Sequence, residues 1–257
     1  MNFEIKISLL VFGLIIGMLI CSEIGRRIGA WQTSKSISKT TGSVDAAVFG
    51  LLGLLVAFTF SGAASRFEER RQLITEEVNA IGTVYLRLDL LPENSQPEIK
   101  KLLKEYVDVR ASVYAKNNSE DDIVVKLDDA TKLQTVIWQK VVAATNNPDT
   151  KATSTSLLIP ALNDMFDIAT SRSAATLNHP PLVIYFMLAS LAMVSALLIG
   201  YGSSDEKRSN WFIRMVFALT LSTTVYVIID LEYPRLGFFR VDAADQLLVD
   251  LSHSIKF

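Results

Sequence analysis

Residues 44–91, VDAAVFGLLGLLVAFTFSGAASRFEERRQLITEEVNAIGTVYLRLDLL, decide the fold. The first part, through Ala64, is apolar and long enough to cross a bilayer, which takes about 20 helical residues at a rise of about 1.5 Å. The second part is charged and amphipathic, and no proline separates the two before Pro92. One helix, from about Asp45 to Leu90, is expected to leave the lipid and continue into water. At the membrane boundary, SGAASRFEERRQ contains only one weak breaker, Gly62, at a cost of about 1 kcal/mol relative to alanine. Continuity keeps every backbone donor and acceptor paired at the membrane edge. The alternative is a kink at Gly62, with Arg66 to Arg71 lying flat among headgroups.

Within the apolar part, Gly53, Ala57 and Ser61 recur every four residues, and Ala46 and Gly50 extend the stripe. Such a stripe admits another helix at close range, in the same chain or in a second copy. Beyond Arg66, the residues Ile74, Val78, Ile81, Tyr85 and Leu88 form an apolar seam at gaps of four and three. Glu68, Glu69, Glu76, Glu77 and Arg71 are then expected on the solvated face.

Working outward, the 257-residue chain is 50% hydrophobic and 20% charged, with a net charge of −2. Its mean hydropathy of +0.31 averages apolar runs with a charged middle, the pattern of an integral membrane protein with a soluble part. No basic block points to nucleic acid. The single cysteine, Cys21, excludes an internal disulfide and reads as a small apolar residue.

A first span covers Ile7 to Cys21, with Lys6 and Arg26 snorkelling at its ends. No small-x-small cleavage site follows it, so it reads as retained. Residues 22–43 read as a polar surface loop, with a short interfacial helix around Trp31. After Pro92, helices are expected from Ser95 to about Ala115, from Asp129 to Ala144, and from Thr155 to Leu177, the last broken or kinked at Pro160. A third span runs from Leu182 to Tyr201 and a fourth from Trp211 to Ile229. Arg214 lies one turn inside the fourth, where reaching the headgroups is favoured over burial. Asp230 and Glu232 at its end suit either an ion path or a helix end stopped by Pro234. A short amphipathic stretch surrounds Gln246 to Leu251.

The fold class is therefore an all-α integral membrane protein: four transmembrane helices with a helical soluble domain between the second and third. Residues 1–64 hold the first two spans, 65–180 the soluble domain, 181–234 the last two spans, and 235–257 a tail. Both termini and the domain then share one side. Basic residues divide almost evenly between the two sides, and the cytoplasmic side of a bacterial inner membrane is the expectation.

Catalytic signatures are missing from the sequence. His179 and His253 are isolated, and no phosphate loop, nucleophile elbow or HExxH occurs. Asp121 with Asp122, and Asp128 with Asp129, read as helix-start acids, without the alternating ligands of a calcium loop. No enzyme activity, metal or cofactor is expected.

The segment LVAFTFSGAASRFEERRQLI resembles the pore-helix signature of bestrophins, pentameric anion or cation channels, in which LGF is followed by RWWE and R-x-L. Phe58 matches the phenylalanine, Arg66 the first arginine, Phe67 the first tryptophan, and Glu69, Arg71 and Leu73 the later positions. Glu68 replaces the second tryptophan and Ala57 the glycine. Leu54 and Gly50 stand one and two turns before Phe58, where bestrophins carry further constricting residues. The chain is more closely similar to a four-span bacterial membrane family of unknown function called bestrophin-like, through residues 50–92 and again at DLEYPRLGFFRV. The resemblance implies a pentamer with Gly50, Leu54 and Phe58 lining a pore in the second span, above a helical vestibule. Arg66, Glu69, Arg70 and Arg71 would place charge at the pore exit, the arginines attracting anions. Membrane lipid and copies of the same chain are the expected partners. The competing class is a membrane-anchored helical module whose soluble domain docks a further protein or senses a signal.

Overall fold

The computed structural model describes residues 3–34, 42–113, 120–205 and 211–255. Eight α-helices are present among them: α1 (Phe3–Ser34), α2 (Gly42–Arg87), α3 (Gln96–Val113), α4 (Glu120–Thr145), α5 (Ala152–Leu177), α6 (Leu182–Gly202), α7 (Trp211–Glu232) and α8 (Asp242–Ser254). No strand occurs among the described residues. Four helical stretches, Ile5–Gln32, Gly42–Leu90, Ala152–Gly202 and Trp211–Glu232, are long and apolar enough to cross a membrane.

The chain divides into two compact units. The first holds residues up to Phe67 together with His179–Arg240, and the second holds Glu68–Asn178 together with Val241–Phe257. Helix α2 supplies residues to both and runs unbroken through Gly62, ending in a 3₁₀ turn at Leu88–Leu90. The expected single helix through Gly62 is therefore present.

In the first unit, α1 lies along α6, and glycines set their closest approach. A Cβ at Gly25 would strike the Leu197 backbone, one at Gly200 the Ser22 backbone, and one at Gly29 the Tyr201 carbonyl and Ser204. Small residues of this kind let transmembrane backbones come together where no hydrophobic effect drives them. Because Gly25 and Gly29 act as packing surface and no proline intervenes, α1 continues to Ser34. The surface loop expected from residue 22 therefore does not form over 22–34, and only 35–41 fall outside the described residues. Met18, Leu188, Ala192, Ala196, Ala218 and Ile228 complete this core, with Leu52 and Ala63 of α2 packed into it.

In the second unit, Ile81 and Val84 of α2 and Leu88 of the 3₁₀ turn after it pack with Leu103, Tyr106 and Val107 of α3, Ile137 and Val141 of α4, and Leu158, Leu162 and Met165 of α5. Leu248 and Ile255, in and just after α8, close the same core. The expected separate tail is thus a wall of this unit from Val241 onward. Helix α5 runs through Pro160 without interruption. Helix α4 starts at Glu120, so Asp121 and Asp122 stand in its first turn. Asp128 and Asp129 instead sit mid-helix and pair with Lys132 at 2.6 and 3.2 Å.

Candidate pore lining and its flanking charges

The apolar half of α2 has two unlike sides. Leu52 and Ala63 are buried, and the Phe49 ring meets Phe217 edge-on at 6.2 Å between centroids. On the other side Gly50, Gly53, Leu54, Ala57, Phe58 and Ser61 are all exposed, Phe58 to 68%. Nothing lies within 4 Å of a Cβ placed on Gly50 or Gly53. The small-residue stripe is therefore not used for packing inside the chain, and the three expected pore-lining residues share its uncovered side.

The charges that follow are arranged differently from the expected exit cluster. Arg66 donates through Nε to Glu232 Oε1 at 2.9 Å, and its Nη2 bonds the same oxygen. Glu232 is fully buried, with His179 Nδ1 3.7 Å from its other oxygen and the His179 ring stacked on Tyr233. Arg70 is also buried. Its Nε and Nη2 donate to the carbonyls of Ala175 (3.1 Å) and Asn178 (2.8 Å), so it caps the carbonyl end of α5. Arg71 stays at the surface and pairs with Glu68 at 3.0 Å, and Glu69 is exposed. Arg66 is matched to a buried carboxylate and Arg70 to two backbone carbonyls, so neither stands loose at the helix exit as an attractor of anions.

Asp230 uses its two oxygens to accept the backbone N–H groups of Phe238 (2.9 Å) and Phe239 (2.7 Å). This carboxylate holds the turn after Pro234, and Gly237 is pressed against it so closely that a Cβ would overlap it. The pair Asp230 and Glu232 is thus built into the end of α7, one by turn capping and one by an arginine partner.

Two charge clusters were not foreseen. Arg214 is 10% exposed and pairs with Glu23 at 3.2 Å, so it is largely buried instead of reaching outward. In the second unit Glu77 is fully buried between two arginines. Arg110 donates to it from Nε (2.6 Å) and Nη2 (3.0 Å), and Arg172 from Nη1 (2.5 Å). Arg172 also reaches Asp245 of α8 at 2.7 Å. Three helices therefore meet at one carboxylate and Arg172 ties in a fourth, which departs from the solvated place expected for Glu77. Nearby, burial pushes the Tyr106 hydroxyl up to about 12. Burial also acts to raise Asp108, but hydrogen bonds from Lys104 and Ser252 outweigh it and hold the carboxyl below its ordinary range. Among the described residues, no group of three or more His, Cys, Asp or Glu gathers as a metal site.

A family model described as the Bestrophin-like domain matches residues 12–245. Among solved structures, a bacterial bestrophin homologue from Klebsiella pneumoniae superposes with a TM-score of 0.71 at 14% identity, over 95% of this chain and 98% of that one. A point variant of a bacterial bestrophin homologue from the same organism gives 0.71 at 14% identity, over 95% and 99%. A further structure, described as a membrane protein carrying one substitution, gives 0.72 at 13% identity, over 96% and 99%. No curated protein matches the chain. The structural likeness concerns the fold, and the family model spans nearly all of the sequence. This chain is an integral membrane protein that belongs to the Bestrophin-like family.

Proposed function

We propose that the protein is an oligomeric ion channel whose pore is lined by the second span. The observation that carries this reading is the uncovered side of α2, where Gly50, Leu54 and Phe58 follow one another at single turns without a partner in the chain. Copies arranged around an axis would bring these residues together, as a pentamer in the bestrophin manner. Leu54 and Phe58 then form a hydrophobic constriction that opens by wetting. The small residues Gly53, Ala57 and Ser61 let neighbouring copies approach. Residues 1–64 and 181–234 make the membrane part, and 65–180 the helical vestibule on the cytoplasmic side, with both termini. The paired Arg71 and Glu68 at the vestibule start leave a mild field there, so steering of anions is weak.

Reconstitution in planar bilayers tests the reading. Wild type is expected to conduct in small steps, and Phe58→Ala or Leu54→Ala to widen the constriction and raise conductance. Silence of all three proteins across salt and voltage, with the oligomer intact by detergent sizing, overturns it.

A second reading is a membrane-anchored module that docks another protein. Its support is the exposed apolar set Leu86, Val124, Val125 and Leu157 on the helical unit. A stable partner recovered with a chain that is monomeric in mild detergent would favour it over the channel.

A further inference from the structure

We infer that the outer face of α1 binds an anionic phospholipid, with the acyl chain along an isoleucine groove and the phosphate at Arg26 and Arg27. The groove, about 450 Å³, is lined by Ile16, Leu19, Ile20, Glu23, Ile24 and Arg27. These positions repeat at i, i+3, i+4, i+7, i+8 and i+11, so they form one side of the helix. The side bearing Met18, Ser22 and Gly25 is occupied by α6. Ile16, Ile20 and Ile24 are 41%, 54% and 46% exposed, so the groove is uncovered in the chain.

The end of the groove carries an unbalanced charge. Glu23 accepts from Arg26 Nε (2.9 Å) and Nη2 (2.7 Å), from Arg27 Nε (3.0 Å) and from Arg214 Nη1 (3.2 Å). Among the described residues, the two guanidiniums of α1, Arg26 and Arg27, share this one carboxylate, which leaves α1 with a net positive charge there. Arg214 is nearly enclosed, whereas Arg27 is 77% exposed and Arg26 35%, which turns the excess outward. Between Lys6 and Glu23 the helix carries no charge. That run of 16 residues is about 24 Å long, shorter than a hydrocarbon core of about 30 Å. The cluster therefore sits at the apolar edge, where excess charge is costly without a counter-ion. A lipid phosphate fits the requirement, since it brings two acceptor oxygens to guanidinium forks and carries its own chain into the groove. A zwitterionic headgroup supplies the phosphate but cancels its charge.

The test uses the full chain in mild detergent, titrated with phosphatidylglycerol or phosphatidylcholine, with bound lipids counted by native mass spectrometry. Each arginine near an anionic surface contributes about a factor of five, so phosphatidylglycerol should be preferred by roughly tenfold or more. Arg27→Gln should cut the preference about fivefold, the R26Q/R27Q double variant should abolish it, and Arg71→Gln should leave it unchanged. Equal retention of the two lipids by wild type, or a preference that survives in the double variant, overturns the inference. So does complete displacement of the lipid by millimolar inorganic phosphate, which would mark a site for a free anion. A groove covered by a second copy would instead show as Ile20→Cys crosslinks between chains, with lipid counts indifferent to Arg27, and that result also overturns it.

Discussion

Glu77 of α2 and Arg110 of α3 meet through two hydrogen bonds of 2.6 and 3.0 Å, with both side chains almost completely removed from solvent. Arg172 joins from α5 and carries the contact on to Asp245 of α8. Removing one member of such a buried set leaves the others uncompensated, which typically costs about 3–5 kcal/mol. Glu77→Leu should therefore unfold or loosen the helical unit, seen as a large drop in melting temperature and loss of protection from hydrogen exchange in α3 and α5. Replacing Glu77, Arg110 and Arg172 together by apolar residues should recover much of the loss, although Asp245 then loses its partner.

Glycines divide into those that bear a contact and those that do not. Gly200→Ala forces a methyl group into the Ser22 backbone, an overpacking that typically costs about 1–3 kcal/mol. The expected outcome is a lower melting temperature in detergent and poorer expression. Gly53→Ala meets open space in the chain and should leave the fold of one protomer unchanged. Its effect, if the stripe faces another copy, should appear in the oligomer distribution.

Gly237→Ala should destabilise the turn after α7, because the added methyl group displaces the Asp230 carboxylate from the Phe238 and Phe239 N–H groups. Asp230→Ala removes the same two acceptors and should give a similar loss. A thermal-shift series of G237A, D230A and the double variant checks the shared cause, since one lost turn predicts sub-additive shifts.

The attachment of α8 should weaken in acid. Asp108 accepts from Lys104 at 2.5 Å and bonds Ser252 of α8, and its carboxyl is held below the ordinary range. A carboxyl with a depressed folded-state pKa adds stability that is fully present above its unfolded value near 3.9. That stability is lost as pH falls through the lower folded value. Limited proteolysis between pH 6 and 3 should show the C-terminal helix becoming cleavable at the acid end. Asp108→Asn should make it cleavable throughout and flatten the dependence.

Much of the architecture was legible because apolar length and helical period are local properties. The four spans and the helical middle follow from them, and so does the unbroken α2. What failed involved charges whose partners lie far away in sequence. The buried line on α2 runs Arg70, Ile74, Glu77, Ile81, Val84, Leu88, again in gaps of four and three. The expected seam is present and wider than read: Val78 and Tyr85 are partly buried against the same core, and Glu77 and Val84 join it fully buried. Glu77 stands three residues after Ile74 and four before Ile81, so its place on the seam was readable, but a carboxylate is credible there only once Arg110 and Arg172 are known. Arg214 was misjudged for the same reason, since Glu23 lies 191 residues away. After Cys21 the Ser-, Thr- and Lys-rich composition reads as a loop, whereas Gly25 and Gly29 there allow α1 to continue in close contact with α6 and the turn after it.

The order of synthesis gives the last helix a further consequence. Residues 68–178 leave the ribosome before the third and fourth spans, yet their unit includes Val241 to the end of the chain. Arg172 must wait for Asp245, and the core around Tyr106 stays open until Leu248 and Ile255 arrive. The helical unit is thus completed only after α6 and α7 have been made, so its final folding waits for both later spans. A chain truncated before Val241 would have every span in place and an exposed apolar core in the helical unit, the kind of surface on which aggregation and proteolysis act.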